Sequence, residues 1–521
     1  MRGNRQSAVQ VADAAVIGAG ISGLTAAALL AKRGYRVVVC ERDVHPGGCA
    51  AGFSRHGFRF AVGATVAMGF EPGGIHDQIY RYLGLSPQFV DVDPAMRVHL
   101  PDRKVIVATD HQRWFSELKR AFPGQERAKE RFWRQTAKLA KVMYRVARRF
   151  PVMPFKHAYD VLDTLRTLHP HVYKLLINLN TTVQGKLERF GIDDPAHRAF
   201  IDGQLLDAAQ TTSERCLFPN GALALDIYRY GCHYKLGGLE RIAQDLTDYL
   251  SFRGSEVQFA TRVRNIIHED GVVRGLSTSR GEVHAPVVIS AIPLENTAQL
   301  LTSPSETSLL ERVGDQPAMW GAFTLYLGVD ERTLPKDVYY YEQITDVDRF
   351  HDGGNILVSI SPGWDRSRAP QGKRAITVST HVEAERWMAL AQDRRRYLQE
   401  KQKLESHLLD RVERALPHIR DGIEVFMSGS PRTFQNFTLR AGGTVGGFPQ
   451  IGGAANFAAP SHRTDVKGLF LAGDTIFPGQ GTIGVTVSGH NAARSAARNL
   501  AEKREYVRSQ PKNEFVKGAI R

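Results

Sequence analysis

Cysteine is scarce: Cys40, Cys49, Cys216 and Cys232 are the four in a chain of 521 residues. They show no metal-ligand spacing, and so small a number fits a reducing compartment. Cys40 ends an apolar run and reads as a small buried hydrophobe. Zinc-finger spacing, an aromatic RNA-binding motif and a basic zipper are all lacking, which excludes the usual nucleic-acid modules. No Ser-His-Asp set, metal cluster or carboxylate pair stands out among the eighteen scattered histidines, so the sequence names no catalytic base and no metal. A lone His233 or His490 reads as a packed or surface residue. The longest apolar run, Ala14 to Leu30, is broken by Gly18, Gly20 and Gly23. It reads as strand, turn and helix, not as a membrane span of about 20 residues. No transmembrane segment and no cleaved signal are expected.

Two quantities are in excess. Forty-eight glycines exceed the usual share of about 7% and cluster in a few loops, as suits backbone approach to a ligand. The net charge is +14, which favours anionic partners. With nucleic acid set aside, an anionic membrane surface is the leading candidate. Hydrophobic (42%) and charged (23%) fractions are those of a globular protein, and the length predicts two or three domains.

The best-defined element is "DAAVIGAGISGLTAAALLAKRGYRVVVCERD". Ala14–Ile17 reads as a buried strand, Leu24–Lys32 as a helix stopped at Gly34, and Val37–Val39 as a second strand ending at Glu41. Between them, Gly18-Ala19-Gly20-Ile21-Ser22-Gly23 fits G-x-G-x-x-G. The first glycine permits the tight turn, the second lets backbone approach a pyrophosphate, and the third lets helix and strand pack closely. Glu41 stands where a ribose hydroxyl needs an acceptor and would repel a 2′-phosphate. A dinucleotide is therefore expected here. A second glycine-rich loop, Pro46-Gly47-Gly48, follows at once, then an alternating run Phe58–Val62 leading to Gly63-Ala64-Thr65. An NAD dehydrogenase would pass directly into its next strand–helix unit. A backbone-exposing loop here suits a ligand that extends on to a ribityl chain and a flavin.

These residues resemble the FAD-dependent amine-oxidase and carotenoid-desaturase superfamily. Glu41-Arg42 followed by Pro46-Gly47-Gly48 is similar to its E-R-x-x-x-P-G-G signature, and "LFLAGDTIFPGQGTIGVTVSG" resembles the C-terminal flavin motif of the carotenoid branch. "LGGLERIAQDLTDYLSFRGSEVQFATRVRNI" resembles the segment whose strand edges the adenine, with Val263 at the ring, and "APVVISAIP" the strand that returns to the cofactor domain. The resemblance implies FAD, enclosed by both chain ends in one Rossmann-like, discontinuous domain within an α/β (mixed α+β) fold. It implies that Gly473 and Asp474 meet the ribityl and phosphate region, and that Gly481, Thr482 and Ile483 lie beside the isoalloxazine. Where the family often carries an acid, this chain has Ala61, so no polar role is carried over there.

On this resemblance, residues 11–70, 236–300 and 460–502 form the FAD domain. A mixed sheet with one helix over 315–455 walls the substrate cavity, and 1–10 and 503–521 are flexible tails. Segment 112–215 is helical and basic. Lys119–Phe150 carries eleven Lys/Arg against two acids, with Phe132, Leu139, Val142, Met143, Val146 and Phe150 near helical spacing. Such a helix suits an anionic leaflet or packs its stripe into its own core; carotenoid substrates favour the leaflet. The expected place is cytoplasmic and peripheral to a membrane. The implied activity is desaturation of a carotenoid polyene with quinone or oxygen as electron acceptor. Carotene cis–trans isomerisation by reduced FAD, amine oxidation and a non-enzymatic lipid-escort role are the alternatives. Phe477, in the flavin-side loop, either packs against substrate or fills core.

Overall fold

The strands Ala14–Ile17 and Val37–Cys40 are buried at every position, as strands covered on both faces must be. In the computed structural model, which describes residues 9–155, 160–161, 178, 180–301, 308–314, 316–451 and 459–509, they form the middle of a five-stranded parallel sheet. Its order is Glu256–Gln258, Val37–Cys40, Ala14–Ile17, Val288–Ser290, Leu469–Leu471. One sheet thus draws strands from three distant stretches of chain. The helix Ile21–Lys32 starts directly at the glycine loop, a turn earlier than the apolar run indicates. It packs against the last helix, Gly481–Ser509. Gly489 makes this approach possible, since a Cβ there would stand 2.3 Å from the Ser22 carbonyl oxygen.

A four-stranded sheet, in the order Val9–Val11, Gly281–His284, Val272–Thr278, Val263–Glu269, lies beside this layer. It corrects one expected boundary: Val9 and Gln10 are not tail but pair in parallel with Glu282 and Val283. The other tail boundary moves too, because the last helix continues to Ser509. Residues 1–8 and 510–521 lie outside the described residues.

The third sheet has seven strands in the order Ile423–Gly429, Trp320–Asp330, Lys373–Glu383, Asn355–Ile360, Tyr341–Thr345, Met96–His99, Lys104–Val107. Two of these come from residues 96–107, well before the stretch expected to supply the sheet. They join through a parallel pairing of Met96–His99 with Tyr341–Thr345. Glu342, fully buried, locks the junction: it accepts from both Nε and Nη2 of Arg97 and lies 2.8 Å from His99 Nε2. The expected single helix is several: Ala384–Leu390 and Arg394–Ala415, then Pro431–Thr438 after the last strand.

The helix Glu126–Ala147 corrects the reading of the basic segment. Phe132, Trp133 and Leu139 pack into a core with Trp114, Phe122, Phe200 and Phe218, and Val142 and Phe150 are buried. Met143 and Val146 line the central cavity. The apolar stripe therefore faces inward, packed on the aromatic core that it shares with the helices Pro195–Ala209 and Phe218–Asp226. What it leaves outside is basic: Arg127, Arg131, Arg134, Lys138, Lys141 and Arg145 are exposed. Residues 156–159, 162–177 and 179 of this segment lie outside the described residues. No helix among the described residues is long and apolar enough to cross a membrane.

Candidate cofactor and substrate cavity

The glycine loop folds as its spacing requires. Gly18 has φ +94°, a region open to glycine at no steric cost. A Cβ on Gly23 would stand 2.2 Å from the Gly18 carbonyl oxygen and 2.9 Å from Ala291 Cβ, so only glycine lets the helix reach the strand. Gly20 is different: a Cβ there meets nothing within 4 Å. It opens onto a cavity of about 1370 Å³ that runs from this loop to the seven-stranded sheet. Glu41 fixes the loop from the second strand, its carboxylate accepting the N–H of Ala19 at 2.7 Å and of Asp43 at 2.8 Å. Burial raises the Glu41 carboxyl above its ordinary range, while these two bonds act in the opposite direction. The second glycine loop closes against the first: Gly47 N–H donates to the Ala19 carbonyl at 2.8 Å.

The distant chain end meets the same cavity. Gly473, at φ +128°, is held by the Ser488 hydroxyl at 3.1 Å. Gly481 heads the last helix, and like Gly20 it has nothing within 4 Å of an added Cβ. Two helix N-termini thus bring partial positive charge to one space. Gly18, Gly20, Ser22, Glu41, Arg42, Gly47, Gly48, Gly63, Val263, Gly473, Asp474, Gly481, Thr482 and Ile483 all line it. Gly23 does not; its place is the packing contact. Phe477 is buried and lines the cavity. Among the described residues no cluster of His, Cys, Asp and Glu is arranged to hold a metal ion.

Several lining residues escaped sequence reasoning. Arg440 reaches in from a glycine-rich loop and pairs with Asp474 at 2.9 Å while its Nε donates to the Thr444 carbonyl at 2.7 Å. Burial opposes its charge, but Asp474 and Cys49 beside it hold it protonated. The positive φ of Gly442, Gly443, Gly446 and Gly447 marks that loop, and this third glycine cluster was the available signal. On the sheet side, Asp207 accepts from Gln343 at 2.6 Å and from Asn355 at 3.0 Å. Burial pushes its carboxyl up to about 7 and brings His381, 3.9 Å away, down to about 4. Nothing in the local sequence around Asp207 or His381 distinguishes them, because helix and strand meet only in the fold. Elsewhere the lining is largely apolar, with Met143, Val146, Leu223, Ala322 and Leu357 among it.

A cavity that meets two helix N-termini, the acid Glu41 and the open space beside Gly481 fits FAD. The comparisons agree. Prolycopene isomerase of carrot (Daucus carota) is 29% identical over 505 residues, 94% of this chain and 80% of that protein. The neurosporene-forming phytoene desaturase of Cereibacter sphaeroides is 25% identical, covering 95% of this chain and 98% of that one. Among solved structures, a variant of putrescine oxidase superposes with a TM-score of 0.65 at 15% identity, over 95% of this chain and all of that one, a likeness of fold. The family model described as flavin containing amine oxidoreductase matches residues 21–497. With residues from both ends of its chain lining one cavity and this match over most of its length, the protein belongs to the flavin containing amine oxidoreductases, and FAD is its cofactor.

Proposed function

We propose that the protein is an FAD-dependent oxidoreductase that desaturates a long apolar polyene of the carotenoid class. The observation that carries this is one cavity, apolar over most of its lining, that joins the dinucleotide loop to the seven-stranded sheet. Bound FAD supplies the two-electron acceptor, taking a hydride as C–C becomes C=C, with quinone or oxygen as the later oxidant. The chain's own part is binding and exclusion of water. The loop Gly18–Gly20 and the helix behind it hold the pyrophosphate, Glu41 the ribose, and Gly473 with Asp474 the ribityl region. Gly481, Thr482 and Ile483 stand beside the ring. Met143, Val146 and Leu357 give the polyene an apolar bed, and the second hydrogen leaves as a proton to solvent or a weak base.

The 29% identity with prolycopene isomerase over 94% of the chain favours a second reading, cis–trans isomerisation on reduced FAD with no net redox change. Product mass separates them: desaturation removes two hydrogen atoms, isomerisation none. A product lighter by two hydrogens supports the first reading. An altered isomer pattern at constant mass, seen only with reduced flavin, replaces it with the second. No change to a polyene by flavin-loaded enzyme in either redox state overturns both.

The same reading places the protein at an anionic membrane surface, where such a substrate resides. Support comes from the exposed basic ridge Arg131, Arg134, Lys138, Lys141, Arg145 along one helix, whose charge complements acidic headgroups. Exposed Phe155 lies just beyond its end.

A further inference from the structure

One region of the cavity wall does not suit a hydrocarbon. Along the strand Lys373–Glu383, the alternate residues Thr377, Ser379 and His381 share one face, and both Ser379 and His381 line the cavity. Opposite His381, the helix Pro195–Ala209 presents Asp207. The carboxylate is held firmly. Gln343 and Asn355 donate to it, and these amides are fixed in turn by Gln204 at 2.5 Å and Thr345 at 2.7 Å. Asp207 Oδ1 and His381 Nδ1 stand 3.9 Å apart, too far for a hydrogen bond but close enough for one oxygen to reach both at about 2.8 Å each.

Two further polar residues border the same space: Gln210, 5% exposed, and Thr324, 0% exposed. Both residues line the cavity. Thr324 pairs with Ser379 across the sheet, and Ala322 with His381. Buried polar atoms are nearly always satisfied. A hydrocarbon laid against Asp207 and His381, which keep part of their side-chain surface open to the cavity, would strip them of water and return no bond.

We infer that Asp207 and His381 form a recognition site for a hydroxyl group carried by the polyene. The hydroxyl donates to the Asp207 carboxyl oxygen Oδ1 and accepts from the His381 ring N–H. The inference rests on the proposed polyene substrate and narrows it to an alcohol-bearing one. Burial keeps His381 neutral and shifts Asp207 toward its neutral acid, which suits a neutral hydroxyl better than an ammonium ion. The network behind Asp207 also ties helix to sheet, so a purely structural role must be separated by a binding readout.

Trp320 supplies a local reporter, with its ring centroid 6.1 Å from that of His381. The probes are an acyclic C40 polyene hydrocarbon, the same chain with one terminal hydroxyl, and the same chain with a terminal amine. Each is titrated in detergent micelles into flavin-loaded protein, with tryptophan quenching as the signal. The native protein should bind the alcohol about tenfold or more tightly than the hydrocarbon, since a site built for a hydroxyl rejects the analogue lacking it. Asp207→Asn and His381→Phe should each bring the ratio near one, with the hydrocarbon affinity unchanged or improved. Should one variant fail to fold, the other decides. Alcohol and hydrocarbon binding within twofold in the native protein, or equal loss of both in the variants, would overturn the inference and leave the polyene reading intact. Preference for the amine would overturn it in favour of amine chemistry. Binding of no polyene by flavin-loaded protein would remove the proposed function and the inference together.

Discussion

Gly20→Val separates folding from cofactor binding. Gly20 caps the helix Ile21–Lys32 with φ −72° and ψ 170°, a conformation open to any residue. A Cβ there meets nothing within 4 Å because it projects into the cavity. Without flavin the substitution is therefore mild: restricting the unfolded chain at an unstrained glycine is worth about 0.4–1 kcal/mol in favour of folding. With flavin the balance reverses. The valine methyls occupy the path by which phosphate oxygens approach the helix N-terminus. Losing two charge-assisted hydrogen bonds at about 1.5–3 kcal/mol each weakens FAD about 10²- to 10⁴-fold. The measurements are the flavin-to-protein absorbance ratio after purification, Kd for FAD by flavin fluorescence, and Tm of the flavin-free protein. Gly23→Ala is the contrast, because its Cβ would collide with the Gly18 carbonyl oxygen at 2.2 Å and must lower Tm with or without flavin. Full flavin loading of Gly20→Val, or a Tm loss equal to that of Gly23→Ala, would refute the claim that this open space belongs to the cofactor.

Gly489→Ala forces the first and last helices apart at Ser22; overpacking costs about 1–3 kcal/mol, offset in part by helix propensity of about 1 kcal/mol. Thermal unfolding should show a net loss together with weaker flavin loading, and a gain in Tm would mean the helices do not pack this closely. Stability should fall on acidification below pH 6.5. Burial holds His76, His381 and His490 down at about 4, and His197 and His462 at about 3. The unfolded chain then takes up protons that the fold refuses, up to about 2 kcal/mol per histidine at pH 5. Asp207 and Asp226, raised to about 7 and 6, act in the opposite direction but are outnumbered. Urea unfolding at pH 7 and pH 5 reads the difference, and equal stability at both would contradict the burial of these rings. Reversing Lys138, Lys141 and Arg145 to Glu removes about 1 kcal/mol of attraction per residue. Co-sedimentation with anionic liposomes at low salt should drop more than a hundredfold, whereas unchanged sedimentation would assign the ridge to solvent alone.

The cofactor end of the fold was legible because its rules are local. A strand, three glycines at fixed spacing, a helix and an acid are enough to place Gly18, Gly20 and Glu41, and the resemblance of the last glycine loop brought Gly473 and Gly481 to the same space. The substrate side was not legible in this way. Met96–His99 alternates apolar residues with Arg97 and His99 and names no partner; the buried Arg97–Glu342 pair shows why it joins a sheet formed more than two hundred residues later. Helical periodicity in Lys119–Phe150 announces one buried face without saying what buries it, and the aromatic core rather than a bilayer covers Phe132 and Leu139. Asp207, His381 and Arg440 became site residues through tertiary contact, which no spacing rule encodes.

A single anaerobic turnover decides whether this flavoprotein oxidises a polyene. Flavin-loaded protein is mixed with liposomes holding a carotene precursor that has saturated bonds, and the absorption spectrum is followed. Polyene oxidation gives a red shift of the polyene bands with stoichiometric bleaching of the oxidised flavin. A flavin that stays oxidised beside an unshifted polyene, yet bleaches when an amine is added, would contradict it.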